Sequence, residues 1–575
     1  MQNFLPFLQW LSDYKKADFS RDLLAGLTAG VILIPQAMAY AMIAGLPPVY
    51  GLYAAIFPVL VYAFLGTSKN LGIGPVAMDS LLVAAGLGTL VISTVENYIV
   101  LAILLAFLVG AMQFILGLFR MGFLVNFLSK PVISGFTSAA ALIIIFSQMK
   151  HLFGVDIARS NIFHEMVLNA IAKISEINMY DFGIGILGIL SIVLLKKWNK
   201  KIPAILVVVV LGIVAVRVFG LERFGVNIVG EIPSGLPSFG IPEFRVDYLV
   251  DLLPIAFTLA LVGYLEIISI GKSLEEKEEK ATIDPNQELI AIGSANMIGS
   301  LFRSYPVSAS FSRSAILSET GVRTNMAGFF SVLLVLLTLL FFTPVFYYLP
   351  NSVLASVIMV SVFGLIDMGY PKKLWQNNKD ELVVLLLTFF ITLFIGIPQG
   401  ILTGVLFSLL LMVYRTSNPH FAILGNIKNS DYYRNVNRFN NDTLERSDLL
   451  IVRFDAQLYF GNSSYFKKRL YREIQRKGTE LRGIILNAEA INYIDSSAAV
   501  MLAKVIREVQ GKGLEFYIAG AIGPTRDIIF NSEIITELRR EHLFIKTSEA
   551  VAYFDNPSSV SVVGSKVAYQ NRNGL

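Results

Sequence analysis

Residues 71–80 read LGIGPVAMDS, a glycine-rich stretch that places a proline at the start of an apolar, helix-forming segment. Residues 302–314 read FRSYPVSASFSRS and also place a proline within a second interrupted segment. Proline is common at a first helical position because its missing N–H would have no partner there in any case. Both stretches lie deep in apolar sequence, where irregular backbone is tolerated only if protein buries it or water reaches it. The sequence therefore predicts two helices that begin inside a membrane.

The composition indicates that most of the chain lies in lipid. Of 575 residues, 55% are hydrophobic and 15% are charged, and the mean hydropathy is +0.63. A soluble domain carries about 25% charged residues because its surface faces water. The chain has no cysteine and only four scattered histidines. We therefore expect no catalytic residues, no metal site, no cofactor and no nucleic-acid partner, and we attribute the net charge of +5 to short membrane loops.

Apolar runs predict about fourteen membrane segments. A full crossing needs ~20 apolar residues, so the third and tenth segments are too short to cross alone. The predicted segments are residues 22–44, 50–65, 76–91, 96–118, 127–148, 182–196, 203–219, 250–271, 286–301, 307–318, 324–343, 350–366, 381–396 and 399–415.

Basic residues predict the orientation of these segments. Arg120, Lys130, residues 196–201, Lys372 and Arg415 all follow even-numbered segments. Short loops rich in lysine and arginine stay in the cytoplasm. We therefore expect a multi-pass protein of the cell (inner) membrane with both termini and the soluble domain in the cytoplasm.

The composition divides the chain into regions. Residues 1–20 form a predicted cytoplasmic segment and residues 21–417 a transport domain, followed by a linker at 418–447. Residues 448–555 alternate β-like runs with amphipathic helical stretches, which predicts a small α/β domain. Residues 556–575 are polar and serine-rich, and we expect this tail to be disordered.

The spacing of the two interrupted segments indicates an internal repeat. The offset that carries Pro75 onto Pro306 also carries Pro35 onto Glu266. Two halves with seven segments each must have opposite orientations, and paired interrupted segments are typical of a transporter's central site. Two half-helix N-termini present free N–H groups and positive dipole ends, which favour an anion. The predicted halves cover residues 21–220 and 250–415.

Donor side chains surround the second interrupted segment. Arg313 adds a cation there, and Gln36 and Tyr40 share one face of the first segment. A buried cation in a membrane is usually functional, although a long side chain can also reach an interface. The serines have the alternative role of allowing close helix packing. The predicted i,i+4 hydroxyl pairs are Ser308 with Ser312 and Ser310 with Ser314.

Two acids lie in the predicted membrane region. Glu266 is in the eighth segment and Asp79 is in the first half-helix. An ionised acid beside an anion site repels the substrate unless it is protonated or paired with a cation. We expect a role in cation or proton coupling for both acids. The alternative is a structural contact with Arg313 or with a backbone donor.

These residues resemble the SulP family of anion permeases over about residues 20–555. Each short match is weak evidence, but their order along the chain is specific. The matching motifs are IPQAMAYA at 34–41, AGLPPVYGLY at 44–53, GTS at 66–68, GPVA at 74–77, NQEL at 286–289 and SFSRS at 310–314.

The resemblance implies a seven-plus-seven inverted repeat with core and gate domains, elevator-like alternating access and often a homodimer. It implies that Gln36, Tyr40, Val76 and Ser312 line the anion site, with Arg313 supplying positive potential. We add Ser310 to this set as a neighbouring hydroxyl donor.

The resemblance also implies that residues 448–555 form a STAS domain. Asp495, Ser496 and Ser497 match the Asp-Ser-Ser of bacterial STAS proteins whose serine is phosphorylated. Ala498 stands where those proteins have glycine. Ser497 is therefore a candidate phosphorylation site, and the alternative is that Asp495 or Ser496 simply caps a helix.

The family transports sulfate, bicarbonate, chloride and dicarboxylates. Its sodium-coupled bicarbonate branch has Asp in the eighth segment with Thr four residues later, whereas this chain has Glu266 and Ile270. Glu resembles the proton-coupled sulfate branch, so we expect proton-coupled sulfate uptake. The alternatives are sodium-coupled bicarbonate transport, exchange of chloride, bicarbonate or dicarboxylate, an anion channel, and a membrane-bound signalling protein.

Overall fold

Each of the fourteen predicted membrane segments contains a helix in the computed structural model. The structure describes residues 6–12, 14–90, 92, 94–123, 129–157, 163–199, 203–244, 246–275, 283–428, 430–439 and 442–558. The chain divides into two compact units, Met1–Ser408 and Leu409–Leu575. The first unit is a multi-span helical membrane domain and the second is an α/β domain.

The helices of the membrane domain are long where apolar sequence is continuous and short where glycine and proline interrupt it. Its first half contains α1 (Phe7–Ser12), α2 (Lys16–Ile43), α3 (Pro48–Ala54), α4 (Phe57–Leu65), β1 (Ile73–Gly74), α5 (Ala77–Leu87), α6 (Val95–Leu118), α7 (Lys130–Ser147), α8 (Met149–Phe153), α9 (Phe163–Ala172), α10 (Met179–Trp198) and α11 (Ala204–Phe219). Its second half contains α12 (Val246–Glu275), α13 (Pro285–Ser300), β2 (Ser308–Ala309), α14 (Phe311–Glu319), α15 (Met326–Leu337), α16 (Asn351–Phe363), α17 (Gly369–Asn377), α18 (Lys379–Phe394) and α19 (Ile397–Ser417).

Length and composition separate spanning helices from short ones. In the described part of the chain, 8 helical stretches are long and apolar enough to cross a membrane. The half-helix α5 and the helices α11 and α16 are apolar but shorter. Helix α2 also begins inside the segment that we predicted to precede the membrane domain, since its first residue is Lys16.

The two interrupted segments do not begin their helices in the same way. Helix α5 starts two residues after Pro75, whereas α14 starts at Phe311, five residues after Pro306. The backbone stays extended up to Ala309 because β2 pairs with β1. The prediction that Ser308 and Ser312 form an i,i+4 helical pair is therefore wrong. Ser310, the N-cap of α14, also lies before the first helical residue.

The offset that relates the two prolines is not uniform along the two halves. Strands β1 and β2 begin at Ile73 and Ser308, which lie further apart in the chain than Lys16 and Val246, where α2 and α12 begin. The long helices and the half-helices therefore follow different offsets, because the intervening loops differ in length. Both long helices contain a proline, Pro35 in α2 and Pro254 in α12.

The second unit contains a sheet with strand order β4-β3-β6-β7-β8-β9, and β5 pairs with β3. Strands β6 to β9 run parallel, whereas β3 is antiparallel to β4, β5 and β6. The strands are β3 (Phe421–Ile427), β4 (Tyr433–Asn435), β5 (Thr443–Leu444), β6 (Leu449–Phe454), β7 (Gly483–Asn487), β8 (Glu515–Ala519) and β9 (Leu543–Phe544). The helices are α20 (Ser463–Lys477), α21 (Ser496–Gln510), α22 (Gly523–Phe530), α23 (Ile534–Leu538) and α24 (Thr547–Asp555).

Residues 418–447, which we predicted as a linker, contribute strands β3 to β5 to this sheet. The sequence shows few local signals for β3, because its partner β6 lies beyond this segment of the chain. In the predicted disordered tail, only residues 556–558 lie within the described residues.

Strand β3 leads to a prediction about the smallest stable fragment. Phe421 on β3 is buried and contacts Phe466 of α20 with ring centroids 6.0 Å apart. Burying one such side chain stabilises a folded domain by ~1.5–3 kcal/mol. We expect a fragment of residues 448–555 to be less stable than residues 418–558 by at least ~2 kcal/mol. Urea unfolding followed by circular dichroism measures the difference, and equal unfolding midpoints would show that β3 is dispensable.

His542 leads to a second prediction about this unit. Its side chain is 9% exposed, and its Nδ1 lies 3.1 Å from the carbonyl oxygen of Phe516. Burial lowers the pKa of His542 below its ordinary value of 6.5. The unfolded chain therefore binds a proton first, and the free energy of unfolding should fall as the pH drops below 6.5, by up to ~1.4 kcal/mol per pH unit. Asparagine at this position cannot titrate, so the 418–558 fragment carrying His542→Asn should lack this slope in urea titrations at several pH values.

Candidate functional site

The two interrupted segments meet at a short antiparallel strand pair. Ile73 pairs with Ala309 and Gly74 with Ser308. The N–H of Ser310 donates to the carbonyl of Gly72 at 3.0 Å. Because the strands are antiparallel, α5 and α14 leave the pair in opposite directions with their N-termini towards it. Two positive helix ends therefore converge inside the membrane domain, as the sequence predicts.

Arg313 lies in the first turn of α14 and is 1% exposed. Its Nη1 donates to Gln36 Oε1 at 3.4 Å, while its Nε and Nη2 are buried without a hydrogen-bond partner among the described residues. A Cβ atom on Gly72 would lie 2.6 Å from Arg313 Cβ, so glycine allows this close approach. The side chain does not reach an interface. It keeps two guanidinium donors available within the domain.

Gln36 connects this arginine to two hydroxyls. Gln36 is fully buried on α2, and its Nε2 donates to Ser312 Oγ at 3.4 Å. Ser312 Oγ lies 3.1 Å from Ser310 Oγ. Both contacts of Gln36 are longer than the usual 2.7–3.2 Å range and are therefore weak. Four of the predicted site residues thus form one cluster of donors. Ser314 has a different role, since its hydroxyl accepts a bond from the Gly72 N–H at 2.9 Å.

The other two predicted anion-site residues are buried beside this cluster. Tyr40 is 4% exposed and lies one turn after Gln36 on α2, where it interacts electrostatically with Arg313. Val76 is 5% exposed and is the extended N-cap residue of α5. Both positions lie where the α5 and α14 N-termini converge.

The sequence did not identify Tyr305 and Ser80 as site residues. Both are buried, and Tyr305 Oη lies 3.1 Å from Ser80 Oγ. Tyr305 also interacts electrostatically with Arg313. Their positions next to Pro306 and one turn after Val76 were the available signals.

The two predicted coupling acids lie close to the donor cluster. Asp79 on α5 is 2% exposed, and Glu266 on α12 interacts electrostatically with both Asp79 and Arg313. Asp79 Oδ1 and Glu266 Oε2 are buried and have no hydrogen-bond partner among the described residues. The structure therefore brings both acids and the arginine into one region.

A third buried acid has a structural role. Glu288, within the NQEL motif, accepts bonds from the Thr67 N–H at 2.8 Å and from Tyr62 Oη at 2.9 Å. Its neighbour Gln287 donates to the carbonyl of Leu65 at 2.9 Å. This motif therefore holds the GTS segment that precedes β1, and its acid is fully paired.

In the α/β unit, Ser497 is exposed in the first turn of α21. Asp495 caps this helix, since its Oδ1 accepts from the Ala498 N–H at 2.7 Å and its Oδ2 from the Phe460 N–H at 2.8 Å. This geometry agrees with the helix-capping alternative, and phosphorylation of Ser497 stays a prediction. Within the described residues, no group of three or more His, Cys, Asp or Glu side chains could hold a metal ion.

Two family models match the chain. The model of the sulfate permease family matches residues 19–388, and the model of the STAS domain matches residues 440–550. Among curated proteins, the chain is 37% identical to "Sulfate transporter 4.1, chloroplastic" of Arabidopsis thaliana, over 96% of this chain and 82% of that protein. It is 34% identical to prestin of Danio rerio, over 81% of this chain and 67% of that protein.

Solved structures show the same architecture. The chain matches the structure of SLC26A9 with a TM-score of 0.87 and 27% identity, covering 97% of this chain and 93% of that one. The transmembrane domain of the cyanobacterial bicarbonate transporter BicA matches with a TM-score of 0.58 and 21% identity, over 69% of this chain and 98% of that one. The second likeness shows the fold alone.

Proposed function

This chain belongs to the sulfate permease family and carries a C-terminal STAS domain, and from that premise we propose that it takes up sulfate together with protons. It is a multi-pass membrane anion transporter and not an enzyme. The proposal concerns the anion, the coupling ion and the mechanism of access.

The observation that carries the proposal is the buried guanidinium of Arg313 with two unpartnered donors. Gln36 Nε2 and the hydroxyls of Ser310 and Ser312 add donors on one side of it. Sulfate has four acceptor oxygens and no donor, so it matches a set of groups that all donate. Because charge-assisted hydrogen bonds are about twice as strong as neutral ones, Arg313 should dominate the affinity.

The acid on α12 supports a proton as the coupling ion. Glu266 has one buried oxygen without a donor, and a proton can occupy that position. Four residues later stands Ile270, whose side chain has no oxygen to ligate sodium. Several curated relatives are named sulfate transporters, which also supports sulfate as the anion.

We further propose elevator-like alternating access, in which the region around β1 and β2 moves with its bound anion against the rest of the membrane domain. The homodimer and the cell membrane that we expect from the sequence belong to the same proposal. One curated relative carries the word chloroplastic in its name, so the relatives do not identify one membrane.

Uptake of labelled sulfate and bicarbonate into proteoliposomes, under imposed proton or sodium gradients, tests the proposal. We expect sulfate to accumulate when the outside is acidic. A sodium gradient should not change its accumulation. Sodium-driven accumulation of bicarbonate would instead support the first alternative. Anion flux without coupling to either gradient would indicate an exchanger or a channel. The absence of any flux would favour a membrane-bound signalling protein.

A further inference from the structure

Asp79 and Glu266 face the same small niche beside Gly263 of α12. A Cβ atom on Gly263 would lie 3.5 Å from Asp79 Oδ2 and 3.4 Å from Ser308 Oγ. Glu266 is three residues further along the same helix and therefore shares this face. The missing side chain of Gly263 lets the carboxyl group of Asp79, from α5, approach the face of α12 that carries Glu266.

The neutral polar groups around this niche are bonded to backbone carbonyls or to one another, and the hydroxyl of Ser308 also interacts with Glu266. The hydroxyl of Ser308 donates to the carbonyl of Gly263 at 3.0 Å. Gln113 donates from Nε2 to the carbonyl of Ala260 at 3.2 Å, and its Oε1 accepts from Asn296 at 3.1 Å. Asp79 Oδ1 and Glu266 Oε2 are left without a donor among the described residues. A buried oxygen without a donor costs ~1–3 kcal/mol, so both acids need an additional hydrogen.

The balance of charge also indicates that the two acids bind at least one proton. Among the described residues, Arg313 is a cation that interacts electrostatically with Glu266, and α6 and α13 contribute the neutral amides of Gln113 and Asn296. If both acids were ionised, the region would carry one excess negative charge before any anion arrived. One proton makes it neutral, and a second makes it positive. The titratable and charged groups facing the pair are Tyr40 from α2, Arg313 from α14 and Tyr305 from the segment before β2.

We propose that Asp79 and Glu266 form one proton-binding pair, which shares a proton when no anion is bound and takes up a second proton as the anion arrives. Two like charges that interact with each other in a dry site cannot both persist, and a protonated carboxyl group supplies a hydrogen that its neighbour can accept. When the second proton leaves, the region returns to neutrality and the anion loses part of its electrostatic attraction. Asp79 is then a coupling residue equal to Glu266. Its place in the transport cycle rests on the proposed function, but the pair itself does not.

Infrared titration of the purified, anion-free protein tests the pair without any substrate. The carbonyl stretch of a protonated carboxyl group is followed against pH in the wild type, Asp79→Asn and Glu266→Gln. In each variant the remaining acid loses its charged neighbour. We expect the titration midpoint of Glu266 in Asp79→Asn, and that of Asp79 in Glu266→Gln, to fall by about one pH unit or more. The double variant should lose the part of the carbonyl signal that these two acids contribute.

Asp22→Asn is the matched control, because Asp22 is a buried acid whose oxygens accept bonds from the N–H of Arg323 and the hydroxyl of Thr324. It should leave the midpoint unchanged. If the midpoint of the remaining acid in Asp79→Asn or in Glu266→Gln equals that of the wild type, the proposed pair is wrong. One variant is enough for this test if the other does not fold. If the wild type does not take up sulfate but the two variants still shift each other's midpoint, the proposed function is wrong and the proton-binding pair is still supported.

Discussion

Arg313→Ala should weaken sulfate binding about 100-fold or more while leaving a folded membrane protein. The variant removes two unpartnered guanidinium donors and the cation that donates to Gln36. Hydrogen bonds to charged groups contribute ~1.5–3 kcal/mol each, and every ~1.4 kcal/mol changes an affinity tenfold. Calorimetric titration of the detergent-solubilised protein with sulfate measures the loss.

Two further variants separate charge from geometry. Arg323→Ala removes an exposed arginine from the same unit and should keep the wild-type affinity. Arg313→Lys keeps the charge but replaces the planar fork with a single ammonium group, so we expect an intermediate affinity. Wild-type affinity in Arg313→Ala would remove Arg313 from the anion site and with it the observation on which the proposed function rests.

Glu266→Gln should abolish accumulation of sulfate driven by a proton gradient. Glutamine resembles the protonated acid, so the anion should still bind and exchange across the membrane. Transport is then no longer linked to proton movement. A gradient of one pH unit drives a concentration ratio of about tenfold for each coupled proton, and this ratio should fall to about one. Proteoliposome uptake under an inward proton gradient gives the ratio, and counterflow of labelled sulfate gives the exchange rate.

Asp251→Asn is the matched control for this prediction, because Asp251 is an exposed acid on the same helix, α12. It should accumulate sulfate like the wild type. Should Glu266→Gln still concentrate sulfate on a proton gradient alone, the coupling proton must be carried elsewhere. Asp79 is then the first group to examine, since its carboxyl group faces the same niche.

Local signals determined most of the membrane architecture. Continuous apolar sequence fixed where helices form, because unpaired backbone is too costly in lipid for any other local structure. Glycine and proline indicated that two segments are interrupted, although the start of α14 lies five residues after Pro306. A lone arginine within apolar sequence was a sufficient sign of a buried, polar site, and Arg313 is indeed buried beside Gln36 and Ser312.

The sequence by itself determined what each segment must do in a membrane, and only the tertiary structure decided which segments meet. The pairing of β1 with β2 extended the backbone through Ser308 and moved that hydroxyl off α14, because hydrogen bonds between distant strands leave no local pattern. For the same reason the sequence did not predict β3, which pairs with β6 beyond residues 418–447. The contact between Tyr305 and Ser80, and the approach of Asp79 to Gly263, likewise depend on packing between helices that are far apart in the chain.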